Sequence, residues 1–379
     1  MKKLFLVSLS LLLIASFVWA TETRVLTLGN ANHYVKDDYN IFIFPSAINS
    51  YKSMVVGEVD PNGFYRFGVH YDVGEENGVI GMYFDQTEYA LEGFMPNVDE
   101  NGIVEERLNL FYGRPLMDYL IGLNLTINRE SKLVDGNPND KSEESNTGIG
   151  IRLGMSMMEN LDLSLSYMTK SFVNKDNAGD DITKPESNME IDLMAGYRYQ
   201  LNDEVWLVPH ALFGIGSMGY SIPNGNKETW SSTTFDLGCG VNINPDENIL
   251  LLFDFGFYRE GITHKTEPPA GSSVEEKESE LRLPYFRAGL EGNVTKWWDV
   301  RFGVERFWQG MSDEHPVGTD TETIKEGQTE TTTYIGSGFT FGNLAIDIQL
   351  DPQFILRGPN FVSGQQGDIA QRASVKYTW

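Results

Sequence analysis

The amino-acid sequence predicts an all-β fold: a transmembrane, antiparallel, up-and-down β-barrel of 16 strands (14 is the alternative count), preceded by a short plug-like segment. Three observations predict it. Apolar and polar residues alternate along stretches longer than the roughly 5–6 residues of an ordinary soluble strand. Tight turns and longer polar loops alternate between these stretches, and aromatic residues gather beside the tight turns. Both features are typical of barrels that span a membrane.

Residues 1–20 have the pattern of a secretory signal peptide. Lys2 and Lys3 supply a cationic start, residues 4–18 are almost unbrokenly apolar, and the predicted cleavage follows Ala20. The alternative is a retained anchor. No cysteine lies near the predicted cleavage site, so we do not expect a lipoprotein attachment.

The charge balance of the exported part excludes nucleic acid as a partner. Without Lys2 and Lys3 the chain has 27 basic and 54 acidic residues, a net charge of −27, whereas phosphate backbones bind clustered Lys and Arg. Cys239 is the single cysteine and permits no internal disulfide. Beyond residue 20 no apolar run approaches the roughly 18 residues of a membrane helix. The exported chain is therefore soluble, or it crosses a membrane as strands.

The alternation is clearest in residues 189–199. One face holds Met189, Ile191, Leu193, Ala195, Tyr197 and Tyr199. The other holds Glu190, Asp192 and Arg198. Similar patterns occupy 119–127, 161–167, 235–243 and 344–351. A soluble β-sandwich would also alternate, but the strand lengths, loop pattern and aromatic positions favour the membrane barrel.

The predicted strands form one barrel domain over residues 52–379. They are 52–59, 63–73, 77–86, 104–113, 117–130, 146–158, 161–173, 187–201, 204–221, 229–244, 247–261, 278–294, 297–311, 325–341, 343–356 and 366–379. The first three have the weakest pattern, and 52–59 could belong to the plug instead. The apolar phase slips near Phe286 and near Arg306, which predicts a β-bulge at each place.

Tight turns are predicted at one end of the barrel and long loops at the other. The turns are 113–115, 159–160, 202–203, 245–246, 295–296 and 342–343. The loops lie near 131–146, 174–187, 222–228, 262–278, 312–324 and 357–366. The aromatic residues expected to form an interfacial girdle beside the turns are Tyr112, Tyr119, Tyr197, Tyr199, Trp206, Trp297, Trp298 and Trp379.

The last predicted strand has Val375, Tyr377 and Trp379 on one face and Arg372 and Lys376 on the other. This resembles the carboxy-terminal assembly signal of outer-membrane barrels, a final strand ending in Phe or Trp. The resemblance implies a place in the outer membrane of a Gram-negative bacterium, with membrane lipid and the barrel-assembly machinery as partners. The alternative is an ordinary amphipathic last strand.

Residues 21–51 precede the barrel and contain Leu28-Gly29-Asn30, Asp37-Asp38-Tyr39-Asn40 and Phe44-Pro45-Ser46-Ala47-Ile48. This segment resembles the amino-terminal hatch of the FadL family of hydrophobic-substrate channels and its PorV-like relatives. Those families have an Asn-Pro-Ala motif, which is degenerate here. The resemblance implies a periplasm-side plug and passage of apolar molecules. The alternative is a short segment that only seals the base of the barrel.

Alternation also sorts the polar side chains that should face the lumen. Ten of them are predicted to line a pore: Arg66, Arg107, Glu190, Asp192, Arg198, Asp236, Asp254, Arg301, Asp347 and Arg372. The same face holds His70, Asn124, Asp351 and Lys376. An unpaired charge in a dry interior would cost several kcal/mol. We therefore expect a hydrated lumen, or one filled by a plug or partner of complementary charge.

The sequence predicts no catalytic, cofactor or metal site. The five histidines are scattered and accompany no nucleophile-elbow motif. The acidic stretch 176–181 lacks the spacing of a calcium loop.

The leading functional hypothesis is therefore a porin or channel for passive diffusion of small solutes, favouring cations, with homo-oligomers possible in principle. One alternative is a FadL-like transporter of hydrophobic molecules. The other is a non-transport barrel that anchors a partner or surface assembly.

Overall fold

The computed structural model describes residues 21–60, 65–74, 76–86, 106–134, 142–157, 160–175, 181–186, 188–317, 320–358, 364 and 369–379. The predicted signal peptide, residues 1–20, lies outside these ranges, as does most of the acidic stretch 176–181.

In the described residues, 16 antiparallel strands close into one barrel. They are β1 (Met54–Val59), β2 (Tyr65–Gly74), β3 (Gly78–Gln86), β4 (Glu106–Leu116), β5 (Tyr119–Val134), β6 (Ser142–Met157), β7 (Leu161–Lys175), β8 (in three pieces, Asp181–Pro185, Met189–Tyr197 and Tyr199–Gln200), β9 (Val205–Ser221), β10 (Lys227–Asp246), β11 (Ile249–Glu267), β12 (Val274–Thr295), β13 (Trp298–Val317), β14 (Asp320–Phe341), β15 (Leu344–Leu350) and β16 (Ala370–Thr378). The predicted fold class and the count of 16 are confirmed.

The barrel closes at β1, which pairs on one side with β16 and on the other with β2. Met54 lies opposite both Thr378 and His70 in these two ladders. Strand 52–59 is therefore part of the wall and not of a plug. Closure gives the backbone N–H and C=O groups at both edges of the sheet hydrogen-bond partners, which strands in a bilayer require.

The apolar faces of the strands form the outer surface. Leu193, Leu237 and Phe302 are about half exposed, at 52%, 50% and 47%, and their polar neighbours along the strands point inward. Cys239 lies on the same outer face as Leu237, two residues further along β10. Trp206 is an exception to the predicted girdle, because it shares its face of β9 with the buried Val208 and His210.

A β-bulge lies at Leu283–Pro284 in β12, close to the position predicted near Phe286. Arg282 pairs with Tyr258 and Tyr285 with Gly256, so Leu283 and Pro284 lie opposite the single residue Phe257 of β11.

Near Arg306, β13 pairs with β14 without a shift of register, but its register with β12 shifts between Phe307 and Gln309. The extra residue of this irregularity belongs to the Leu283–Pro284 bulge of β12, which lies opposite Trp308, and not to β13 as predicted. The apolar pattern slips at that point for a different reason. Phe307 faces the interior, only 7% exposed, and the Arg282 guanidinium lies 4.4 Å from its ring centroid.

Several other predicted boundaries differ from the structure. Most of the residues predicted as loops near 262–278 and 312–324 belong to strands β11 to β14, which extend beyond the predicted ends. The strand predicted over 343–356 ends at Leu350, and helix α2 (Pro352–Arg357) follows. The Asp351 side chain accepts a hydrogen bond from the Gln353 N–H at 2.9 Å, and proline is favoured at a first helical position. The turn predicted at 113–115 lies within β4, and the chain turns at 117–118 instead.

Residues 21–51, the inner segment, lie inside the barrel. They form helix α1 (Glu22–Thr27) and two 3₁₀ helices, Asp38–Phe42 and Pro45–Ser50. Asp37 and Asn40 form a reciprocal capping box at the start of the first 3₁₀ helix. None of the helices in the described residues is long and apolar enough to cross a membrane.

Candidate functional site

The inner segment lies against glycines of the barrel wall. A Cβ atom built on Gly303 would lie 2.7 Å from the Thr27 carbonyl oxygen, and one on Gly154 would lie 2.7 Å from the Ser46 nitrogen. Other wall glycines with a Cβ position close to the segment are Gly81, Gly113, Gly122, Gly240, Gly289 and Gly336. Larger side chains at these positions would occupy the space of the segment, so the wall is shaped to accept it.

Two apolar clusters join the inner segment to the wall. In the first, Ile41 and Ile48 of the segment pack with wall side chains from β1, β3 and β4. In the second, Leu28, Ala31 and Tyr34 pack with Val208 and Leu252 of β9 and β11. The clusters involve strands on different sides of the barrel, so apolar contacts hold the segment at more than one point.

A buried ion-pair network holds α1. The Arg24 guanidinium donates two hydrogen bonds of 2.7 Å to the two carboxylate oxygens of Glu291 on β12. Arg301 of β13 donates to the same carboxylate at 2.5 Å and to Asp347 of β15 at 2.5 Å. The Thr21 hydroxyl donates to Asp347 at 3.0 Å. Paired guanidinium–carboxylate contacts of this kind are the strong charge-assisted hydrogen bonds.

A second network lies at the seam of the barrel. Glu22 of α1 pairs with Arg66 of β2 and, at 3.0 Å, with Arg372 of β16. The Lys376 ammonium donates to Asp38 at 3.0 Å. Asp37 precedes Asp38 in the chain. Burial, and then repulsion by the Asp38 carboxylate, raises the pKa of Asp37 well above its usual value. Wall charges here meet opposite charges brought by the inner segment.

The ten predicted pore-lining residues thus fall into three groups. Arg66, Arg301, Asp347 and Arg372 contact the inner segment directly or through one partner. Asp236, Asp254 and Arg198 contact wall side chains: Tyr285, Arg287 and Asp162. Arg107, Glu190 and Asp192 line a cavity above the inner segment. A pore-lining role for these residues stays a prediction.

The cavity has a volume of about 420 Å³. Asn32, His33, Tyr39 and Phe42 of the inner segment form its floor, and strands β4 to β11 form its walls. Small-molecule sites in proteins commonly have volumes of about 300–1,000 Å³. The cavity is therefore of a size that holds a small organic solute.

Polar and apolar side chains are both present in the cavity. Asn109 accepts hydrogen bonds from Asn124 at 3.3 Å and from Thr126 at 2.7 Å. Arg152 of β6 donates to the Phe42 carbonyl oxygen of the inner segment, and its guanidinium lies 4.0 Å from the Asp192 carboxylate. Arg152 therefore connects the cavity wall to the floor.

Sequence reasoning missed several of these residues. Glu291 and Arg287 follow the bulge in β12, where the apparent phase of alternation is lost. Arg152 faces the lumen in a strand whose alternation the sequence shows clearly, and it could have been included. The wall glycines carry no signal of their own, because a glycine between outward apolar residues is equally consistent with an empty lumen.

The described histidines contact mainly tyrosines, carboxylates and one another. His33 stacks on His210 with ring centroids 5.4 Å apart, and His70 meets the Tyr83 hydroxyl at 2.9 Å. His264 lies 2.9 Å from Glu228. Burial, and then repulsion by His210 and Arg287, lowers the pKa of His33 to about 3. Within the described ranges no group of three side chains is arranged to hold a metal ion. The absence of catalysis stays a prediction.

The closed barrel, its apolar outer surface and its charged interior define the class of an outer-membrane β-barrel protein. The family model described as "Outer membrane protein beta-barrel domain" matches residues 118–285. The chain is an outer-membrane β-barrel protein, and its location is the outer membrane, as the sequence predicted. No curated protein matches the chain.

The solved structures to which the chain is similar include two receptors and one transporter. The ferric yersiniabactin uptake receptor FyuA of Yersinia pestis has 10% identity and a TM-score of 0.41, with 78% of this chain and 46% of that chain covered. The copper transporter OprC has 9% identity, a TM-score of 0.46 and coverages of 86% and 51%. The siderophore receptor PiuA of Acinetobacter baumannii has 11% identity, a TM-score of 0.39 and coverages of 71% and 53%. The chain spans about half the length of these proteins.

Proposed function

We propose that this protein transports small solutes across the outer membrane through a lumen that the inner segment closes at rest. The observation that carries the proposal is the contact of residues 21–51 with strands on all sides of the lumen. These strands are β1 to β6 and β8 to β16. Solute passage then requires the segment to move, and an always-open pore for passive diffusion is the less favoured form of the transport hypothesis.

The arrangement of cavity and segment supports entry from outside the cell. The segment contacts wall residues near the short turns, such as Gly113 and Gly122, and outer-membrane barrels place short turns in the periplasm. The cavity lies on the opposite side of the segment, towards the long loops. A solute in the cavity would meet Arg152, which also holds the Phe42 carbonyl. A solute that binds the Arg152 guanidinium would compete with the Phe42 carbonyl for it. Binding would therefore weaken a contact that holds the segment in place.

The charge of the loop end supports a preference for cations. Glu275 and Glu278 of β12 and Glu322 and Glu326 of β14 are exposed there. Fixed charges of one sign raise the local concentration of the opposite ion. The charged cavity lining gives less support to a FadL-like passage for purely apolar molecules, and a non-transport scaffold would not require a solute-sized cavity.

A disulfide between segment and wall tests the proposal. The Ser46 and Ser156 hydroxyl oxygens are 2.9 Å apart. We would replace Cys239 by Ser and then introduce Ser46→Cys and Ser156→Cys. In planar bilayers, the reduced protein should show stepwise opening. Oxidation should lower the open probability at least tenfold.

The matched control joins two wall strands and leaves the segment free. Gln309 and Gln328 are directly opposite on β13 and β14, with a hydrogen bond of 2.8 Å. Oxidised Gln309→Cys/Gln328→Cys protein should open like its reduced form. Equal conductance of the oxidised and reduced Ser46→Cys/Ser156→Cys protein would refute closure by the segment. A reduced protein that neither conducts nor takes up solute would favour the scaffold.

A further inference from the structure

We infer that the cavity binds small organic cations, amines with an apolar body, and that Glu190 accepts hydrogen bonds from the ammonium group. The role of this binding in uptake rests on the proposed function, whereas the binding itself does not. Glu190 and Asp192 lie on the same face of β8 and both line the cavity. The two carboxylates differ in what surrounds them.

Asp192 already has partners in the wall. It accepts a 2.8 Å hydrogen bond from the Ser166 hydroxyl, and the Arg152 guanidinium lies 4.0 Å away. The Oε2 atom of Glu190, in contrast, is buried and has no hydrogen-bond partner among the described residues. Leaving a buried acceptor unsatisfied costs about 1–3 kcal/mol, and more for a charged group. A ligand N–H at this position would remove that cost.

A second unsatisfied atom in the cavity has the same chemistry. Asn124 is only 5% exposed, and it donates through its amide nitrogen to Asn109. Its amide oxygen has no partner in the described part of the chain. Both unsatisfied atoms are therefore acceptors. Because an ammonium group has three donors and no acceptor, it matches either of these acceptors better than a carboxylate or phosphate would.

The surroundings of Glu190 leave room for an apolar body. In the wall, Glu190 lies opposite Met168 on β7 and Gly216 on β9, and Met168 lies opposite Gly150 on β6. A Cβ atom at Gly150 would lie 3.1 Å from the Met168 Cε atom, so the flexible end of the Met168 side chain lies over this glycine and can move aside for a ligand. Phe42, Met194 and Leu212 also line the cavity, as does Met168. Methionine side chains are flexible and adapt to varied apolar shapes.

The overall charge of the lining agrees with a cationic ligand. Its basic members are Arg107 and Arg152, and its acidic members are Glu190, Asp192 and Glu260. Arg152 also has the Phe42 carbonyl as an acceptor. A cationic ligand adds the missing positive charge, whereas an anionic ligand would increase the excess of negative charge.

Calorimetric titration of the full mature chain in detergent tests the inference. The probes are 2-phenylethylamine, the neutral 2-phenylethanol and the anionic 3-phenylpropanoate, each corrected for partition into empty micelles. The amine should bind at least tenfold more tightly than either other probe. Glu190→Gln should weaken amine binding by about 10- to 100-fold, the range of a hydrogen bond to a charged group, and should leave alcohol binding unchanged.

The control variant is Glu247→Gln, which removes the same charge from an exposed position in the turn between β10 and β11, at the other end of the barrel. It should change amine affinity less than twofold. Equal affinities for the three probes in the unmodified protein, or equal effects of Glu190→Gln and Glu247→Gln, would overturn the inference. The comparison of the three probes uses the unmodified protein. It therefore tests the inference even if the Glu190→Gln protein fails to fold.

This test separates binding from transport. Amine selectivity in a protein whose conductance ignores the Ser46–Ser156 disulfide would support the site and refute closure by the segment. Redox-controlled conductance without amine selectivity would refute the site and support closure.

Discussion

The turn end and the loop end of this barrel have the same alternating strands but different interiors. At the turn end the Arg24–Glu291 pair is buried, with side chains 3% and 4% exposed. At the loop end the Lys265–Glu267 pair is open to solvent, with side chains 41% and 40% exposed. The wall follows one rule throughout, apolar outside and polar inside. What differs is the occupant: a peptide segment with its own charges in one half, and a cavity opening to solvent in the other.

The difference decides how much each charged pair contributes. A buried pair that loses one member leaves the other charge without compensation, at about 3–5 kcal/mol. An exposed pair contributes about 0–1 kcal/mol, because water screens both charges. Charges that look alike along the strands should therefore have very different effects when they are removed.

The largest effect is expected from Arg24→Met. This substitution leaves Glu291 with Arg301 as its remaining guanidinium partner and removes the Arg24–Asp37 pair. The free energy of unfolding should fall by about 3–5 kcal/mol, measured by urea titration of tryptophan fluorescence in lipid vesicles. Lys265→Met, the control in the loop end, should leave it nearly unchanged, because water screens this exposed pair. Equal losses would remove the distinction between the two halves.

A smaller effect is expected from Gly303→Ala in β13. The added methyl group would meet the Thr27 carbonyl at 2.7 Å, and overpacking of this kind costs about 1–3 kcal/mol. Gly310→Ala, seven residues further along the same strand, adds a methyl group with nothing within 4 Å. It should be neutral or stabilising by up to about 1 kcal/mol. The same titration measures both variants, and a Gly310→Ala loss as large as that of Gly303→Ala would mean that the segment is not the cause.

The last expected effect depends on pH and is absent at neutral pH. The pKa of His33 falls from 6.5 to about 3 in the folded protein, so below pH 6.5 the unfolded chain binds a proton that the folded chain does not. The contribution of His33 to stability is therefore complete above pH 6.5 and decreases as the pH falls towards 3. His33→Gln should make the decline in unfolding free energy between pH 6.5 and 4 shallower. His315→Gln, at the loop end, should decline like the unmodified protein, and an unchanged His33→Gln profile would contradict the prediction.

Strand alternation by itself determined the fold class, the 16 strands and the facing of most side chains. A period of two is a local property, so residues such as Leu193 and Asp192 reveal opposite faces wherever the strand lies. Alternation located the Leu283–Pro284 bulge only approximately, near Phe286, and it did not predict that Phe307 faces the interior. It also failed at Pro352, where capping by Asp351 starts a helix in place of further strand.

The inside of the barrel was decided by the tertiary structure. Arg24 and Glu291 are 267 residues apart in the chain, and no local pattern states that they share a hydrogen bond. Closure of the wall around residues 21–51 decides whether Asp347 and Arg301 face water or the inner segment. It also decides whether Gly303 borders an empty lumen or the backbone of α1. Side-chain facing is set by neighbouring residues along one strand, whereas the partners of these charges are set by chain closure and complementary charge across the lumen.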